Sequence, residues 1–175
     1  MRSKRDKHKR PSASHGRSSA TLSDFLLRLE LQSNPECLTL VRAAIERATE
    51  SLHFQPAESR AVVRSVDEAL ANVMRHAYGG KTGHPIEVIC NRLRSPKEGN
   101  EATGIEIVLR DSGTAVDPEK LRGRPLDEIR PGGLGLHFMK QSMDEVQFSR
   151  SQGHNQLRLV KYLESHKTDP GTQGD

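Results

Sequence analysis

The stretch DEALANVMRHAY, residues 67–78, places polar side chains at four-residue steps in a segment with a helical apolar pattern. Glu68 and Asn72 are about 40° apart on an α-helix, and His76 follows one turn later. The opposite side collects apolar residues, namely Val62, Val66, Ala69, Leu70, Val73 and Ala77. A carboxylate and a carboxamide one turn apart provide oxygen ligands of the kind that Mg²⁺ binds. The alternative is a set of solvated polar residues on a packed helix.

A second candidate site lies in the segment RPGGLGLHFM, where Gly132, Gly133 and Gly135 come at the start of a short helical pattern. Glycines in this position let backbone N–H groups approach phosphate oxygens, and the positive end of the helix dipole favours an anion. The segment has neither the GK[ST] ending of a Walker A motif nor the preceding strand of a dinucleotide fingerprint. The alternative is a glycine-rich hinge.

Asp111 ends an alternating strand and is followed by Ser112 and Gly113. A carboxylate there can accept a hydrogen bond from an exocyclic amine, and a glycine lets a flat ring pack against the backbone. The alternative is an Asp-containing turn. The irregular stretch between Asp111 and Leu136 is longer than an ordinary connector, which is typical of a functional lid. The order of these segments favours a nucleotide site.

The first half of the chain predicts one strand and two helices that position the first polar cluster. Strict alternation predicts a half-buried strand whose inward face carries Phe25, Leu27, Leu29 and Leu31. A first helix follows, with Asn34 as its cap and Pro35 at its first position. A second helix runs from about Ala57 to Tyr78 and ends at Gly79 and Gly80.

The second half predicts four strands and one short helix. The segments HPIEVICNRL and TGIEIVLRD are strands around a polar hairpin-like loop, with the inward residues Ile86, Val88, Cys90, Ile105, Ile107 and Leu109. GLGLHFMKQSM predicts the helix, and two strands follow around a turn near Gly153. Because no regular strand–helix repeat is present, the pattern predicts an α+β fold: a two-layer sandwich whose mostly antiparallel sheet is covered by helices on one face.

The charge distribution divides the chain into a domain and two tails. Residues 1–17 carry a net charge of +6 while the whole chain totals +4, so the remainder sums to −2. We expect residues 1–20 to be a disordered basic tail, residues 21–165 to form one domain, and residues 166–175 to be a flexible tail. No segment resembles a signal peptide or a bilayer-spanning helix.

The remaining composition excludes several classes of site. Cys37 and Cys90 have no metal-ligand spacing and are expected to be small buried residues in a reducing, cytoplasmic compartment. The histidines form no zinc motif. Tryptophan is absent and aromatic residues are few, which argues against stacking of single-stranded nucleic acid. We expect neither membrane association nor direct nucleic-acid binding.

Three segments together indicate a family. EALANVMRHAY, VLRDSGTAVDP and GGLGLHFMKQSMDEV resemble the N box, first glycine box and second glycine box of the Bergerat-fold, histidine kinase-like ATPases, the superfamily of gyrase, Hsp90, sensor histidine kinases and MutL. The NxxRHAY ending, the compact lid and the closing GHNQLRLVKYL are similar to the bacterial anti-sigma factor serine-protein kinases. The resemblance covers roughly residues 22–163.

The resemblance implies a function and its partners. It implies a homodimeric kinase that uses ATP and Mg²⁺, binds a sigma factor and phosphorylates an anti-anti-sigma protein of the STAS type. Glu68 would be the general base, Asn72 the Mg²⁺ ligand, Asp111 the acceptor for the adenine amine, and Gly113 the residue that lets the base seat. His76, which also matches the N box, is interpreted as structural.

The resemblance also assigns the phosphate contacts. They would come from the second glycine box, namely Gly132, Gly133, Leu134, Gly135 and Leu136. Arg130 would meet the γ-phosphate as a catalytic cation, with Arg124 as the competing candidate. One departure from the family is Ala115, since the first glycine box usually reads Asp-x-Gly-x-Gly. An alanine is penalised only where the position needs a positive φ or a very close approach of the ligand.

Three other functions are compatible with parts of the sequence. A non-catalytic module could use nucleotide only to order its lid; Ala115 leans toward that hypothesis, whereas the retained Glu68 favours a kinase. A histidine kinase would need a phosphoacceptor histidine on a helical hairpin, which the segment before residue 22 does not contain. A DNA-binding function would rest on the basic tail alone and would leave the glycine boxes unexplained.

Overall fold

The computed structural model describes residues 22–95, 101–115 and 134–164, with the side chains of Leu22 and Leu134 excepted. Both predicted tails and most of the predicted lid lie outside these ranges. The elements in chain order are β1 (Leu22–Gln32), α1 (Cys37–Ser51), α2 (Pro56–Asn72), a π-helical segment (Val73–Ala77), β2 (Pro85–Arg94), β3 (Ala102–Asp111), α3 (Leu134–Ser142), β4 (Glu145–Ser151) and β5 (His154–Tyr162).

The strands form one five-stranded sheet in the order β1-β2-β3-β5-β4. Each neighbouring pair of these described strands is antiparallel. The register sets Asp111, at the end of β3, opposite Ile86 on one side and Asn155 on the other. The predicted α+β sandwich with an antiparallel sheet is therefore confirmed, and its central strand ends at a candidate site residue.

The core lies between one face of the sheet and the helices. All six residues predicted to point inward from β2 and β3 are buried, at most 2% exposed, and they pack with buried residues of the helices such as Ile45, Leu70 and Met139. Burial of each large aliphatic side chain is worth roughly 1.5–3 kcal/mol. The opposite face carries ion pairs, for example Arg28–Glu87 at 2.6 Å and Arg158–Glu106 at 2.5 Å. One face of the sheet thus supports the helices, and the other face is polar.

The inward face predicted for β1 is wrong at its first residue. The pairing of β1 with β2 shifts register between Phe25 and Leu27, and the side chain of Phe25 is 66% exposed. An extra residue in a strand breaks the two-residue period, so residues before it change face. Leu27, Leu29 and Leu31 pack against the core as predicted.

The start of α1 also differs from the prediction. Glu36 is the N-cap and the helix begins at Cys37, so neither Asn34 nor Pro35 has the predicted position. Asn34 instead closes a turn before the helix: its Oδ1 accepts a hydrogen bond from the Glu36 N–H at 3.1 Å, and its carbonyl accepts one from the Cys37 N–H at 3.0 Å. Asparagine favours such turns because its side chain bonds the backbone two residues on.

The predicted second helix changes its hydrogen-bond pattern near its end. It begins at Pro56 with a capping box between Gln55 and Glu58, but α-helical geometry stops at Asn72 and a π-helical segment continues to Ala77. There the Tyr78 N–H donates to the carbonyl of Val73 at 3.0 Å, five residues back. Gly79 and Gly80, at φ 61° and 78°, end the segment as predicted. Single π-helical turns are frequently found at functional sites.

The two cysteines have different surroundings. Cys90 is buried in the sheet, and burial raises the pKa of its thiol to about 12. Cys37 is only half-buried at the start of α1, which differs from the prediction of a buried residue. Of the helices in the described ranges, none is both long and apolar enough to cross a bilayer.

Candidate active site

Glu68 on α2 lies against the first turn of α3. A Cβ atom added to Gly135 would be only 1.9 Å from Glu68 Oε1 and 2.4 Å from its Cγ. Only glycine permits the backbone of α3 to approach this side chain so closely. The Glu68 side chain keeps 29% of its surface exposed. The structure thus brings the carboxylate of the N box and the second glycine box together.

The same region offers backbone donors next to the polar face of α2. Asn72, one turn after Glu68, is half-buried at the end of α2. The first N–H groups of α3, which starts at Leu134, have no carbonyl within the helix to bond, and they lie at the positive end of its dipole. Leu136 packs partly against the core. The predicted site residues Arg130, Gly132 and Gly133, and the competing Arg124, lie outside the described residues.

Arg75, which the sequence reasoning gave no role in the chemistry, is aimed along the same face. Its Nη2 lies 3.5 Å from Glu68 Oε1, and its Nε donates a hydrogen bond to the carbonyl of Ala71 at 3.2 Å. The backbone contact fixes the middle of the side chain while its end reaches the carboxylate. The seven-residue separation from Glu68 is the available signal, since two helical turns return to the same face. His76 is exposed.

Asp111 occupies a buried position at the end of β3, where it is 7% exposed. Its Oδ1 accepts hydrogen bonds from the Gly113 N–H at 2.8 Å and from Asn155 Nδ2 at 2.7 Å. Both hydrogen bonds that the described residues donate to this carboxylate end on Oδ1. Oδ2 therefore remains able to accept a hydrogen bond. An acceptor at this position fits a ligand amine such as that of adenine.

Gly113 makes a close contact with the end of the π-helical segment that only glycine permits. A Cβ added there would lie 2.6 Å from the carbonyl oxygen of Ala77 and 2.7 Å from its Cβ. The neighbouring Thr114 N–H donates to the same carbonyl at 2.9 Å. The first glycine box is therefore pressed directly onto the end of the π-helical segment, and the close approach that requires glycine is to the protein backbone.

Tyr78 provides a second connection between the N box and the first glycine box. Its hydroxyl donates to the carbonyl of Pro85 at 2.6 Å and accepts a hydrogen bond from the Ser112 N–H at 3.1 Å. Its ring stacks on His84 with centroids 4.6 Å apart. Burial, the largest cause, raises the pKa of the Tyr78 hydroxyl, which keeps it protonated as a donor. The sequence did not predict this role, although Tyr78 is the last residue of the HAY ending of the N box.

Ala115, the departure from the family pattern, is exposed and does not have a positive φ. The first condition under which an alanine would be penalised there is therefore not met. The described residues also contain no group of three or more His, Cys, Asp and Glu side chains arranged for a metal. Mg²⁺ at a nucleotide site needs only one or two protein ligands, because phosphate and water oxygens supply the others.

Comparison with known proteins now identifies the family. Residues 31–161 match the sequence family described as the histidine kinase-like ATPase domain. The chain belongs to this family of ATPases. The predicted resemblance to Bergerat-fold proteins is thereby confirmed.

Among the curated relatives that this chain resembles are named protein kinases. The chain is 25% identical over 155 residues to the serine-protein kinase RsbW of Bacillus pumilus, covering 84% of this chain and 91% of the relative. It is 31% identical over 100 residues to the serine/threonine-protein kinase BtrW of Bordetella bronchiseptica, covering 55% of this chain and 65% of the relative. The predicted resemblance to the serine-protein kinase branch is confirmed.

A solved structure shows the same fold. A chain in the SiaB–SiaC complex from Pseudomonas aeruginosa superimposes with a TM-score of 0.56 at 15% identity, covering 78% of this chain and 89% of the other. At that identity the match supports the histidine kinase-like fold alone.

Proposed function

We propose that the protein is a Mg²⁺-dependent kinase that transfers the γ-phosphoryl group of ATP to a serine of a partner protein. The contact between Glu68 and Gly135 is the observation that carries this proposal, because it puts a carboxylate at the positive end of the helix that would bind phosphate. The kinase relatives support it, since their names state this activity.

The two ends of the site would hold the two ends of the nucleotide. Asp111 would accept the adenine amine through Oδ2, because Oδ1 already has its donors in Gly113 and Asn155. The first turn of α3 would meet the phosphates with its backbone N–H groups. Asn72 would contribute the protein ligand to Mg²⁺, whose chemistry is to neutralise charge on the phosphate oxygens.

Glu68 would act as the general base. It would take the proton from the serine hydroxyl while the serine oxygen forms a bond to the γ-phosphorus and the bond from that phosphorus to the bridging oxygen breaks, releasing ADP. Its partly exposed side chain leaves room for an incoming hydroxyl. Phosphoryl transfer depends mainly on such positioning and on charge stabilisation. A general base and the N-terminus of a helix supply these two requirements.

The partners follow from the relatives rather than from the geometry. RsbW-type kinases cover most of the chain, and the resemblance to the anti-sigma factor branch implies two protein partners. We therefore propose that the chain forms a homodimer, binds a sigma factor, and phosphorylates an anti-anti-sigma protein of the STAS type. Binding of the anti-anti-sigma protein would release the sigma factor from the kinase.

Removal of the base tests the mechanism. Glu68→Ala should lower serine phosphorylation by about 10²–10⁴-fold, the scale of losing a general base, while Mg²⁺·ATP still binds. Transfer is measured with labelled ATP and each anti-anti-sigma candidate encoded nearby, followed by mapping of the labelled residue. Glu46→Ala, which removes an exposed carboxylate from α1, is the matched control and should keep the parent rate. Equal rates for Glu68→Ala and the parent would remove Glu68 from the mechanism.

The same assay separates a kinase from a module that only binds nucleotide. The kinase produces ADP in step with phosphoserine, and both products require Mg²⁺. Partner binding that depends on ATP without any ADP would instead support the non-catalytic module. Asn72→Ala should raise the Mg²⁺ concentration needed for half-maximal transfer.

A further inference from the structure

The carboxylate of Asp111 belongs to a chain of hydrogen bonds that begins in the buried interior and ends at an exposed arginine. Asn155, only 6% exposed at the start of β5, donates from Nδ2 to Asp111 Oδ1 at 2.7 Å and to the carbonyl of Thr114 at 3.1 Å. Arg150, on the neighbouring edge strand β4, donates from Nη1 to Asn155 Oδ1 and to the carbonyl of Gly113 at 3.1 Å. The chain therefore runs from Arg150 through Asn155 to Asp111.

The chemical types in this chain fix its direction. A guanidinium can only donate hydrogen bonds, while backbone carbonyls and an ionised carboxylate can only accept them. The amide of Asn155 must therefore turn its oxygen toward Arg150 and its NH₂ toward Asp111. With the amide reversed, its oxygen would face the carboxylate oxygen and a carbonyl, and its NH₂ would face a cation.

We propose that Arg150 is a positioning residue for purine selection, because it holds Asn155, which in turn holds the Asp111 carboxylate with Oδ2 toward the base. This inference rests on the proposed function, in which Oδ2 of Asp111 faces the purine. Adenine presents an amine at its six position and is accepted, whereas guanine presents an oxygen there and is repelled. Nothing in the sequence pattern around Arg150 indicates this role.

Loss of the arginine should relax the selection. Without a donor at residue 150 the Asn155 oxygen loses this partner, so the amide and the Asp111 carboxylate that it bonds are held less firmly and can rotate. Rotation of the carboxylate weakens both its attraction for the adenine amine and its repulsion of the guanine oxygen. Sites built around a hydrogen bond to the ligand reject the wrong partner strongly, so this change should be visible as a change in affinity ratio.

The experiment compares ATP and GTP binding to the full-length chain by displacement of a fluorescent nucleotide. Arg150→Met, which keeps the length of the side chain but removes its donors, should lower the ATP-to-GTP affinity ratio by about tenfold. Arg150→Lys, which can still only donate, should restore most of the ratio. Arg110→Met is the matched control: Arg110 is also an exposed strand arginine, but it bonds Gln156 at 3.0 Å and Glu87 at 3.2 Å.

A second measurement needs no nucleotide. In ¹⁵N NMR spectra, the two side-chain amide protons of Asn155 should be sharp and slowly exchanging in the parent and in Arg110→Met, and broadened in Arg150→Met. An unchanged affinity ratio in Arg150→Met, with the parent still preferring ATP, would overturn the inference and leave the proposed function standing. A parent that binds neither nucleotide would overturn both.

Discussion

The half of the site around Asp111 is tied together much more tightly than the half around Glu68. Asp111 is buried, and its loop is fixed by hydrogen bonds to Asn155, Arg150 and Tyr78. Glu68 is partly exposed and, among the described residues, has one long ion pair, to Arg75 at 3.5 Å, beside its contact with a glycine. The difference suits the proposed chemistry: the base of the nucleotide is read by a rigid acceptor, whereas the catalytic carboxylate must adjust to a triphosphate and an incoming serine.

The largest effect is expected when a methyl group is added at Gly135, in the half of the site around Glu68. In Gly135→Ala the new Cβ would overlap the end of a flexible side chain, so Glu68 should move aside at little cost to folding. Misplacement of a catalytic group by about 1 Å can cost about 10²-fold in rate. We expect a loss of that order in serine phosphorylation with a nearly unchanged melting temperature. A variant that transfers phosphate at the parent rate would show that Glu68 does not need this position.

A glycine-to-alanine substitution in the half of the site around Asp111 should instead lower the stability of the fold. In Gly113→Ala the new Cβ would overlap the backbone of Ala77, which cannot rotate away. Overpacking of this kind costs about 1–3 kcal/mol, which corresponds to about 2–4 °C per kcal/mol in a protein of this size. Thermal unfolding measures it, with Ser112→Ala as the control in the same loop. Equal melting temperatures for Gly113→Ala and Gly135→Ala would break the comparison between the two halves.

Removal of the single ion pair should have a smaller effect. Arg75 and Glu68 are both partly exposed, and such pairs contribute about 0–1 kcal/mol. Arg75→Gln should therefore change the free energy of unfolding by less than about 1 kcal/mol, while the transfer rate changes by a few-fold because Glu68 loses its restraint. Urea unfolding and the kinase assay on the same preparation separate the two. A loss of stability above about 3 kcal/mol would show that this half is rigid as well.

The smallest effect is expected at the other end of β5, away from both halves. The Tyr162 hydroxyl donates to Glu145 Oε1 at 2.8 Å, and burial followed by this bond raises its pKa from 10.0 to about 12. A raised folded-state pKa contributes stability that is complete below pH 10 and is lost as the pH rises toward 12. Tyr162→Phe should thus flatten the decline in stability across that window. Urea unfolding at pH 8 and pH 11 measures the change, and an equally steep decline in the variant would contradict it.

Most of the fold was accessible from the sequence because its signals are local and periodic. The alternation in β2 and β3 identified six buried residues correctly, and the glycines after Tyr78 marked the end of a helix. The errors came where one residue breaks a period: the register shift in β1 exposes Phe25, and a turn formed by Asn34 delays α1. Neither event leaves a local signal of comparable strength.

The site was predictable only in part for a related reason. Glu68 and Asn72 follow from helical spacing, and the structure places Glu68 beside Gly135. Asn155 lies opposite Asp111, and Arg150 lies opposite Asn155, through the register of three strands, which no short-range pattern reveals. Gly113 was predicted to let the base seat, but its contact with Ala77 depends on how two distant segments pack. Long-range register and packing are the parts that a single sequence leaves unspecified.

The π-helical segment from Val73 to Ala77 lets the residues before it and the residues after it pack against different parts of the protein. A wider turn changes the phase of every residue after it, so the residues upstream can face the cleft while Ala77 and Tyr78 face the loop after β3. Shortening this turn by one residue would rotate both anchors away from Ser112 and Gly113. Glu68, Asn72 and His76 recur every four residues in the sequence, but in the structure they do not share one face. His76 is exposed to solvent.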